Sequence, residues 1–272
     1  MGRMTGSVDS IVRVGAVGLR CRVDGPAGAP WLVFSNSLMT DLTLWDHQVA
    51  AYAGRFRILR YDQRGHGGSG VPSGGCHFDG LVEDLAAVMA AFDVQAATVV
   101  GVSMGGVTAL GLAARHPARV SRVGVCDCQA ASTPAGAAAW DERIAVAQAG
   151  GMDALAGPTL ARWFRPETLR AETLDLGRVR AMICGTALPG FVRAARALQN
   201  YDYRALPAAL RCPAAFIAGS EDGALPQALQ GMAAACPGST HTVIPDAGHL
   251  PNIEQPARFN AALDALLASP VP

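Results

Sequence analysis

The stretch TVVGVSMGGVTAL, residues 98–110, places a single serine among three glycines, between a β-rich run and a run of good helix formers. Glycine tolerates positive φ and close backbone approach, so glycines at such a junction relieve crowding. The spacing G-x-S-x-G between a strand and a helix is typical of a nucleophile elbow, in which the serine hydroxyl is exposed above the sheet. The pattern makes Ser103 a candidate nucleophile and predicts a sheet around it.

The composition indicates one large globular chain without a charge bias. The 272 residues are half hydrophobic, and 22 basic residues balance 22 acidic ones. This is enough apolar material for a sizeable core, and no basic patch indicates a nucleic-acid partner. The N-terminus lacks the apolar core of a signal peptide, and no run approaches a membrane span of roughly 20 residues. We therefore expect a cytoplasmic protein with a small-molecule substrate and no membrane partner. The sequence does not indicate an oligomeric state.

The cysteines predict free thiols and no metal site. An odd, unclustered set without an export signal is typical of free, mostly buried thiols. Cys126 and Cys128 flank Asp127, but no second Cys/His pair lies near enough in sequence to complete a zinc site. We expect neither a metal nor a cofactor. The seven cysteines lie at positions 21, 76, 126, 128, 184, 212 and 236.

Strand and helix signals alternate along most of the chain. A hairpin is predicted around Gly18, and β-rich runs follow at 31–36, 56–62, 97–103, 120–127, 214–220 and 239–247. Helical spacing of apolar residues occurs at 43–53, 78–94, 105–116, 226–235 and 256–268. Such alternation predicts an α/β fold with a mostly parallel central sheet and helices on both faces.

One region interrupts this alternation. From 129 to 198 the sequence is rich in Ala and Arg, has helical periodicity and contains no convincing strand. We interpret residues 129–198 as a helical cap, inserted into a core formed by residues 1–128 and 199–272.

Three candidate catalytic groups follow three predicted strands, at the edge of the sheet where chemistry collects in open α/β folds. They are Ser103, Asp222 and His249. Asp222 could be an ordinary turn residue, and His249 could simply neighbour a helix start. Together, however, the order Ser, Asp, His is that of the α/β-hydrolases. In this interpretation His249 removes the serine proton, and the aspartate orients the imidazole and stabilises its protonated form.

The acid has a competing neighbour, Glu221. We favour Asp222 because its spacing from Gly219 and Pro226 resembles the G-x-x-D-x-x-x-P loop of the same fold.

An oxyanion hole requires two further donors. The elbow offers the backbone N–H of Met104, the residue after the nucleophile. The turn after the strand WLVF reads SNSLMTD, and aligning it with other hydrolases makes the N–H of Leu38 the second donor. Two such donors stabilise the charge that develops in the transition state.

The chain resembles the 3-oxoadipate enol-lactonase family over nearly its whole length. The resemblance rests on FSNSLMTDLTLWDHQV, FRILRYDQRGHGGS, GVSMGG, WDERIAVAQAGGMDAL, RWF and GHLPNIEQPARF. It implies an α/β-hydrolase fold, hydrolysis of an enol-lactone in aromatic catabolism, and the nucleophile, acid, base and oxyanion amides named above. Met39 departs from the family by replacing a usual glycine near the acyl pocket. The segments GVPSGGCHF and GTALPGFVRAARALQNYDYR depart as well, and these differences bear on the substrate.

An enol-lactone of this family carries a carboxylate, so the neutral chain needs local cations. Arginines of the predicted cap are suited to this, because Arg binds carboxylates in a bidentate manner. We single out Arg143, which lies one helical turn from Trp140, although both could instead pack the cap onto the core. Met39 and Trp163 are the other candidate substrate contacts. The cap arginines considered are 143, 162, 165, 178, 180, 193 and 196.

Other functions are compatible with the same motifs. A carboxylesterase for a neutral ester, an amide hydrolase, and a C–C bond hydrolase of ring-cleavage products would all use this triad. A non-catalytic receptor on a hydrolase scaffold belongs to a different class, and the presence of all three catalytic groups argues against it. Fold analogy alone does not fix the reaction.

Overall fold

One eight-stranded sheet forms the centre of the molecule. A computed structural model describes residues 7–271, and its strand order is β1-β2-β4-β3-β5-β6-β7-β8. β1 and β2 pair with each other, and β2 with β4, in antiparallel fashion, whereas the remaining neighbours are parallel. The strands are β1 (Val8–Val14), β2 (Val17–Asp24), β3 (Trp31–Ser35), β4 (Arg57–Tyr61), β5 (Ala97–Val102), β6 (Val120–Cys126), β7 (Ala214–Gly219) and β8 (Thr240–Ile244).

Helices cover both faces of this sheet, as the alternation predicts. α2 packs on α3, which lies against β5 and β6, while α1 packs on α11, which lies against β6 and β7. The helices are α1 (Asp46–Tyr52), α2 (Phe78–Ala91), α3 (Met104–Arg115), α4 (Pro134–Trp163), α5 (Pro166–Arg170), α6 (Leu174–Gly185), α7 (Leu188–Gln199), α8 (Leu206–Ala209), α9 (Leu225–Ala234), α10 (Pro251–Glu254) and α11 (Pro256–Ala268). No helix within residues 7–271 is long and apolar enough to cross a membrane.

The predicted first hairpin is present, but the prediction placed its turn at the wrong residue. The chain reverses at Gly15 and Ala16, and Gly18 lies within β2, paired with Arg13. Gly15 adopts a φ of 59°, the left-handed conformation that a two-residue hairpin loop demands. Gly18 has a different reason to be glycine, because a Cβ there would lie 2.8 Å from the side chain of Ile11.

The segment between β6 and β7 is helical, with α4 to α7 spanning residues 134–199. α4 packs against both α6 and α7, and Gly151 breaks it with a φ of 74°. α7 meets the rest of the chain where the backbones of Gly190 and Gly65 touch, since a Cβ on Gly190 would lie 2.2 Å from the Gly65 carbonyl oxygen. The division of the chain into a core and a cap at residues 129–198 stays a prediction.

The strand order brings five loops to one edge of the sheet. β3, β5, β6, β7 and β8 are consecutive and parallel, so their carboxyl ends lie side by side. All residues of β5 and β7 are buried, which fixes these strands between helical layers. The loops that follow them carry the candidate catalytic residues.

Candidate active site

Ser103 lies in the sharp turn between β5 and α3. Its φ of 56° and ψ of −120° are unusual for a residue with a side chain, and its N–H donates to the carbonyl of Cys126 at 2.8 Å. The turn closes tightly, because a Cβ on Gly101 would lie 2.0 Å from the carbonyl oxygen of Gly105. The glycines thus allow the strained turn that a nucleophile elbow requires, and Ser103 lines a cavity above the sheet.

Asp222 and His249 meet above the ends of β7 and β8. The Nδ1 of His249 lies 2.6 Å from the Oδ2 of Asp222, and both side chains are buried. An N–H at Nδ1 leaves Nε2 as the acceptor that a general base needs. His249 lines the same cavity as Ser103, although no hydrogen bond joins their side chains in the described part of the chain. The structure therefore brings the three predicted residues to one cavity.

Glu221, the competing acid, lines the same cavity but has a different partner. Its side chain is 47% exposed and pairs with Arg165 at 2.7 Å. The residue bonded to the imidazole is Asp222.

The two predicted oxyanion donors lie in adjoining turns. Gly105 packs against the end of β3, because a Cβ on Gly105 would lie 2.1 Å from the carbonyl oxygen of Ser35. The amide of Met104, at the first position of α3, has no acceptor among residues 7–271, and neither has that of Leu38. Met104 and Leu38 are buried. Unsatisfied buried amides are rare, so these two are available to an oxygen atom of a ligand.

The helical segment holds His249 in place. The N–H of His249 donates to the carbonyl of Trp163 at 2.8 Å, and the two rings stack with centroids 5.6 Å apart. Glu254 adds a second link, since its carboxylate accepts from the N–H of Gly248 at 2.6 Å and from the N–H of Arg165 at 3.0 Å. Trp163, predicted as a substrate contact, thus packs on the imidazole of His249 and lines a small pocket beside the main cavity.

The main cavity, about 520 Å³ in volume, has two cationic side chains in its wall. Arg143 lies over the ring of Trp140 with its guanidinium carbon 4.5 Å from the centroid, and Arg162 lines the same cavity. Burial and the neighbouring charge of Arg162 lower the pKa of Arg143. Within residues 7–271, neither arginine side chain has a carboxylate partner or a hydrogen bond. Two guanidinium groups without carboxylate partners in the wall of one cavity favour an anionic ligand there.

Arg162 shows where the sequence prediction fell short. The sequence places it among the cap arginines without distinguishing it from the others. Its position directly before Trp163, in the motif RWF, is the signal that could have identified it.

Met39 is buried in the turn that supplies Leu38. Its φ is 59°, a conformation that favours glycine. This agrees with the glycine that the enol-lactonase family usually has at this position. Its side chain lines the small pocket together with Trp140, Arg143 and Trp163.

Asp127, at the end of β6, is a further carboxyl in the cavity wall, and the sequence indicated it only as the residue between two thiols. It is fully buried and has a φ of 45°. Its Oδ1 accepts from the N–H of Gly219 at 2.8 Å, and its carboxyl group lies beside that of Asp222. Burial and the neighbouring charge of Asp222 raise the pKa of Asp127 well above its ordinary value. Its position at the end of a predicted strand is the signal that could have placed it at this edge of the sheet, whereas its neighbourhood with Asp222 depends on the strand order.

No group of three or more His, Cys, Asp or Glu side chains within residues 7–271 is arranged to hold a metal ion. The seven cysteines are free, and four of them are buried.

The chain is similar to known proteins over most of its length. A sequence profile of the alpha/beta hydrolase fold matches residues 30–256. Two 3-oxoadipate enol-lactonases of Acinetobacter baylyi are similar to the chain. One is 34% identical, with 89% of this chain and 90% of the relative covered, and the other is 31% identical, with 92% and 93% covered.

A solved structure gives the same result. The crystal structure of the enol-lactonase from Burkholderia xenovorans LB400 superposes with a TM-score of 0.91 at 35% identity, covering 96% of this chain and all of that one. The chain is a hydrolase of the α/β-hydrolase fold and belongs to the 3-oxoadipate enol-lactonase family.

Proposed function

We propose that the enzyme opens a carboxylated enol-lactone, with Ser103 as nucleophile, His249 as general base and then acid, and Asp222 as the orienting carboxylate. The observation that carries the proposal is the pair of unpaired guanidinium groups, Arg143 and Arg162, in the wall of the cavity that also contains Ser103 and His249. A cavity with these groups suits a small substrate that has an acyl carbon at one end and a carboxylate at the other.

In the first half of the reaction, Ser103 Oγ attacks the ring carbonyl carbon while His249 Nε2 takes the hydroxyl proton. The carbonyl oxygen becomes an oxyanion, and the free amides of Leu38 and Met104 are the groups suited to receive it. The bond between the acyl carbon and the ring oxygen then breaks. The leaving enolate takes the proton from His249 and tautomerises to a ketone, with the acyl group left on Ser103.

In the second half, His249 removes a proton from water, which attacks the acyl carbon. The tetrahedral intermediate releases Ser103 Oγ, and His249 returns its proton to that oxygen. The sum is addition of one water to the lactone to give a keto acid. Asp222 stabilises the imidazolium that forms in each half, which is the reason for its short contact with Nδ1.

The unpaired cations suit the carboxylate end of the substrate. Stacking on Trp140 holds the Arg143 guanidinium in one orientation, so little side-chain freedom is lost when an anion binds. A neutral ester would leave both guanidinium groups without a partner. This supports an anionic substrate over a neutral one.

The test is a comparison of two substrates on the wild-type enzyme, 3-oxoadipate enol-lactone and its methyl ester. We expect kcat/KM to be higher for the carboxylate by about tenfold to a hundredfold, the effect of one charged hydrogen bond. Equal values would remove the support for an anionic substrate. Failure of both compounds, together with turnover of p-nitrophenyl acetate, would instead show an esterase of different specificity.

A further inference from the structure

The second buried carboxyl of the site has no part in the mechanism above. Asp127 lies at the end of β6, between the strands that carry Ser103 and Asp222. Its side chain is fully buried, and it contacts the cavity that contains all three candidate catalytic residues. A buried, ionisable group in this position needs a physical explanation, because burying a charge without a partner is costly.

The hydrogen bonds of Asp127 are incomplete. Oδ1 accepts from the N–H of Gly219, but the buried Oδ2 has no donor among residues 7–271. The group beside it is the carboxyl of Asp222, near enough for a hydrogen bond between the two. Two carboxylates cannot make such a bond, whereas a carboxylic acid and a carboxylate can.

The carboxylate of Asp222 likewise has fewer hydrogen-bond donors than it can accept from. Within the described chain, its carboxylate accepts a hydrogen bond only from Nδ1 of His249. A carboxylate held by one partner can rotate about its χ2, and the imidazole would follow it. A second donor is needed to fix its plane, and the adjacent Asp127 is in position to supply one.

The other charged or titratable groups around Asp127 do not compete for this role. Cys126 and Cys128 flank it in sequence, and burial raises the pKa of both thiols, so they are neutral. Of the titratable groups in the same cavity, Glu221 pairs with Arg165, and His249 is bonded to the Asp222 carboxylate. A single negative charge shared by the two carboxyls is also what an imidazolium at His249 would need for neutrality.

We propose that Asp127 is a positioning residue, a protonated acid that donates to the Asp222 carboxylate and fixes the plane in which Asp222 holds His249. The inference rests on the proposed roles of Asp222 and His249. In a folded enzyme at neutral pH, the two carboxyls together hold one proton. Asp127 touches no substrate atom in this role and acts through Asp222.

Two variants with hydrolysis of p-nitrophenyl acetate test the proposal. Asp127→Asn keeps an oxygen for the N–H of Gly219 and an N–H donor for Asp222, so kcat should stay near the wild-type value. Asp127→Ala removes the donor, and kcat should fall about tenfold to a hundredfold while KM changes little. Equal losses in both folded variants would overturn the proposal, as would an unchanged kcat in Asp127→Ala.

A spectroscopic measurement does not depend on catalysis. The infrared difference spectrum of wild type minus Asp127→Asn, recorded at about pH 8, should contain the C=O stretch of an un-ionised carboxyl. Asp62 is the matched control: burial raises the pKa of Asp62 to about 6, so the corresponding difference spectrum of Asp62→Asn should show only carboxylate bands. Carboxylate bands alone for Asp127 would overturn the proposal.

The two proposals fail in different ways. If Ser103→Ala kept wild-type turnover, the proposed function would fail whatever the infrared spectrum showed. If activity required Ser103 but Asp127 were ionised, only the positioning role would fail.

Discussion

The arginines near the sheet and those of the helical segment 134–199 differ in whether they have acidic partners. Arg60, a buried residue of β4, pairs with Asp24 at 2.8 Å and Asp46 at 2.7 Å, and Arg64 pairs with Asp84. In the helical segment, Arg143 and Arg162 face a cavity with no acidic partner within residues 7–271. Paired arginines hold the scaffold, and the unpaired ones are available to a ligand.

The difference is not a general property of the helical segment. Its other arginines either pair with carboxylates or, for Arg193, donate to the carbonyls of Gly74 and Pro189. The segment thus contains structural arginines and two arginines without such a partner in the described chain, Arg143 and Arg162, which both line the cavity. The arginines paired with carboxylates are 165, 170, 178, 180 and 196.

If the sheet edge performs the chemistry and the helical segment recognises the substrate, Ser103→Ala is the variant with the largest expected effect. We expect loss of nearly all hydrolysis of both charged and neutral substrates, because no other group supplies the nucleophile. Circular dichroism and thermal melting should match wild type, since the hydroxyl makes no hydrogen bond within the described chain. Turnover near the wild-type rate would contradict the assignment.

The second test is made within the sheet edge, between adjacent acids. Asp222→Asn should lower kcat roughly a thousandfold to ten-thousandfold, because the amide favours the wrong imidazole tautomer. Glu221→Gln is the matched control and should leave kcat unchanged, since Glu221 is half-exposed and pairs with Arg165. The reverse ranking would show that the other acid serves His249.

The third test addresses the unpaired arginines. Arg143→Leu and Arg162→Leu should each lower kcat/KM for the carboxylated enol-lactone by about tenfold to a hundredfold, the value of a charged hydrogen bond. Hydrolysis of p-nitrophenyl acetate should change little, because that substrate has no carboxylate. Arg178→Leu, which removes an exposed ion pair with Asp175, is the control for general effects. Equal losses on both substrates would make Arg143 and Arg162 packing residues.

The smallest expected effect is none. The oxyanion is assigned to the backbone amides of Leu38 and Met104, so the reaction as proposed needs no Lewis acid. Dialysis against EDTA should leave kcat/KM unchanged for both substrates. A loss of activity that added zinc or manganese reverses would contradict the proposed mechanism.

The sequence was most informative where local backbone demands are strict. The elbow at Ser103 needs small neighbours and a strand–helix junction, and both are visible in residues 98–110. The order of most strands and helices was likewise recoverable, because β-rich runs and helix-forming runs alternate along the chain. The hairpin turn was misplaced because Gly15 and Gly18 look equivalent in sequence, and only strand pairing separates a turn glycine from one in a ladder.

Relations between distant residues could not be read in the same way. Whether an arginine has an acidic partner depends on side chains brought together by the fold, as for Arg196 and Asp141. The position of Asp127 beside Asp222 depends on the adjacency of β6 and β7, and their sequence separation gives no sign of it. The proposed substrate preference and the proposed role of Asp127 both depend on such contacts.

The break in α4 has a consequence for how specificity in this enzyme can change. Gly151 separates the half of the helix that carries Trp140 and Arg143 from the half that ends at Trp163, whose carbonyl receives the N–H of His249. Substitutions before the break can reshape what the cavity accepts while the base stays anchored. After the break, substitutions that shift the carbonyl of Trp163 disturb the anchoring of His249 as well. New substrates are therefore more accessible to mutation through residues 134–150 than through residues 152–163, so laboratory evolution should begin in the first half of the helix.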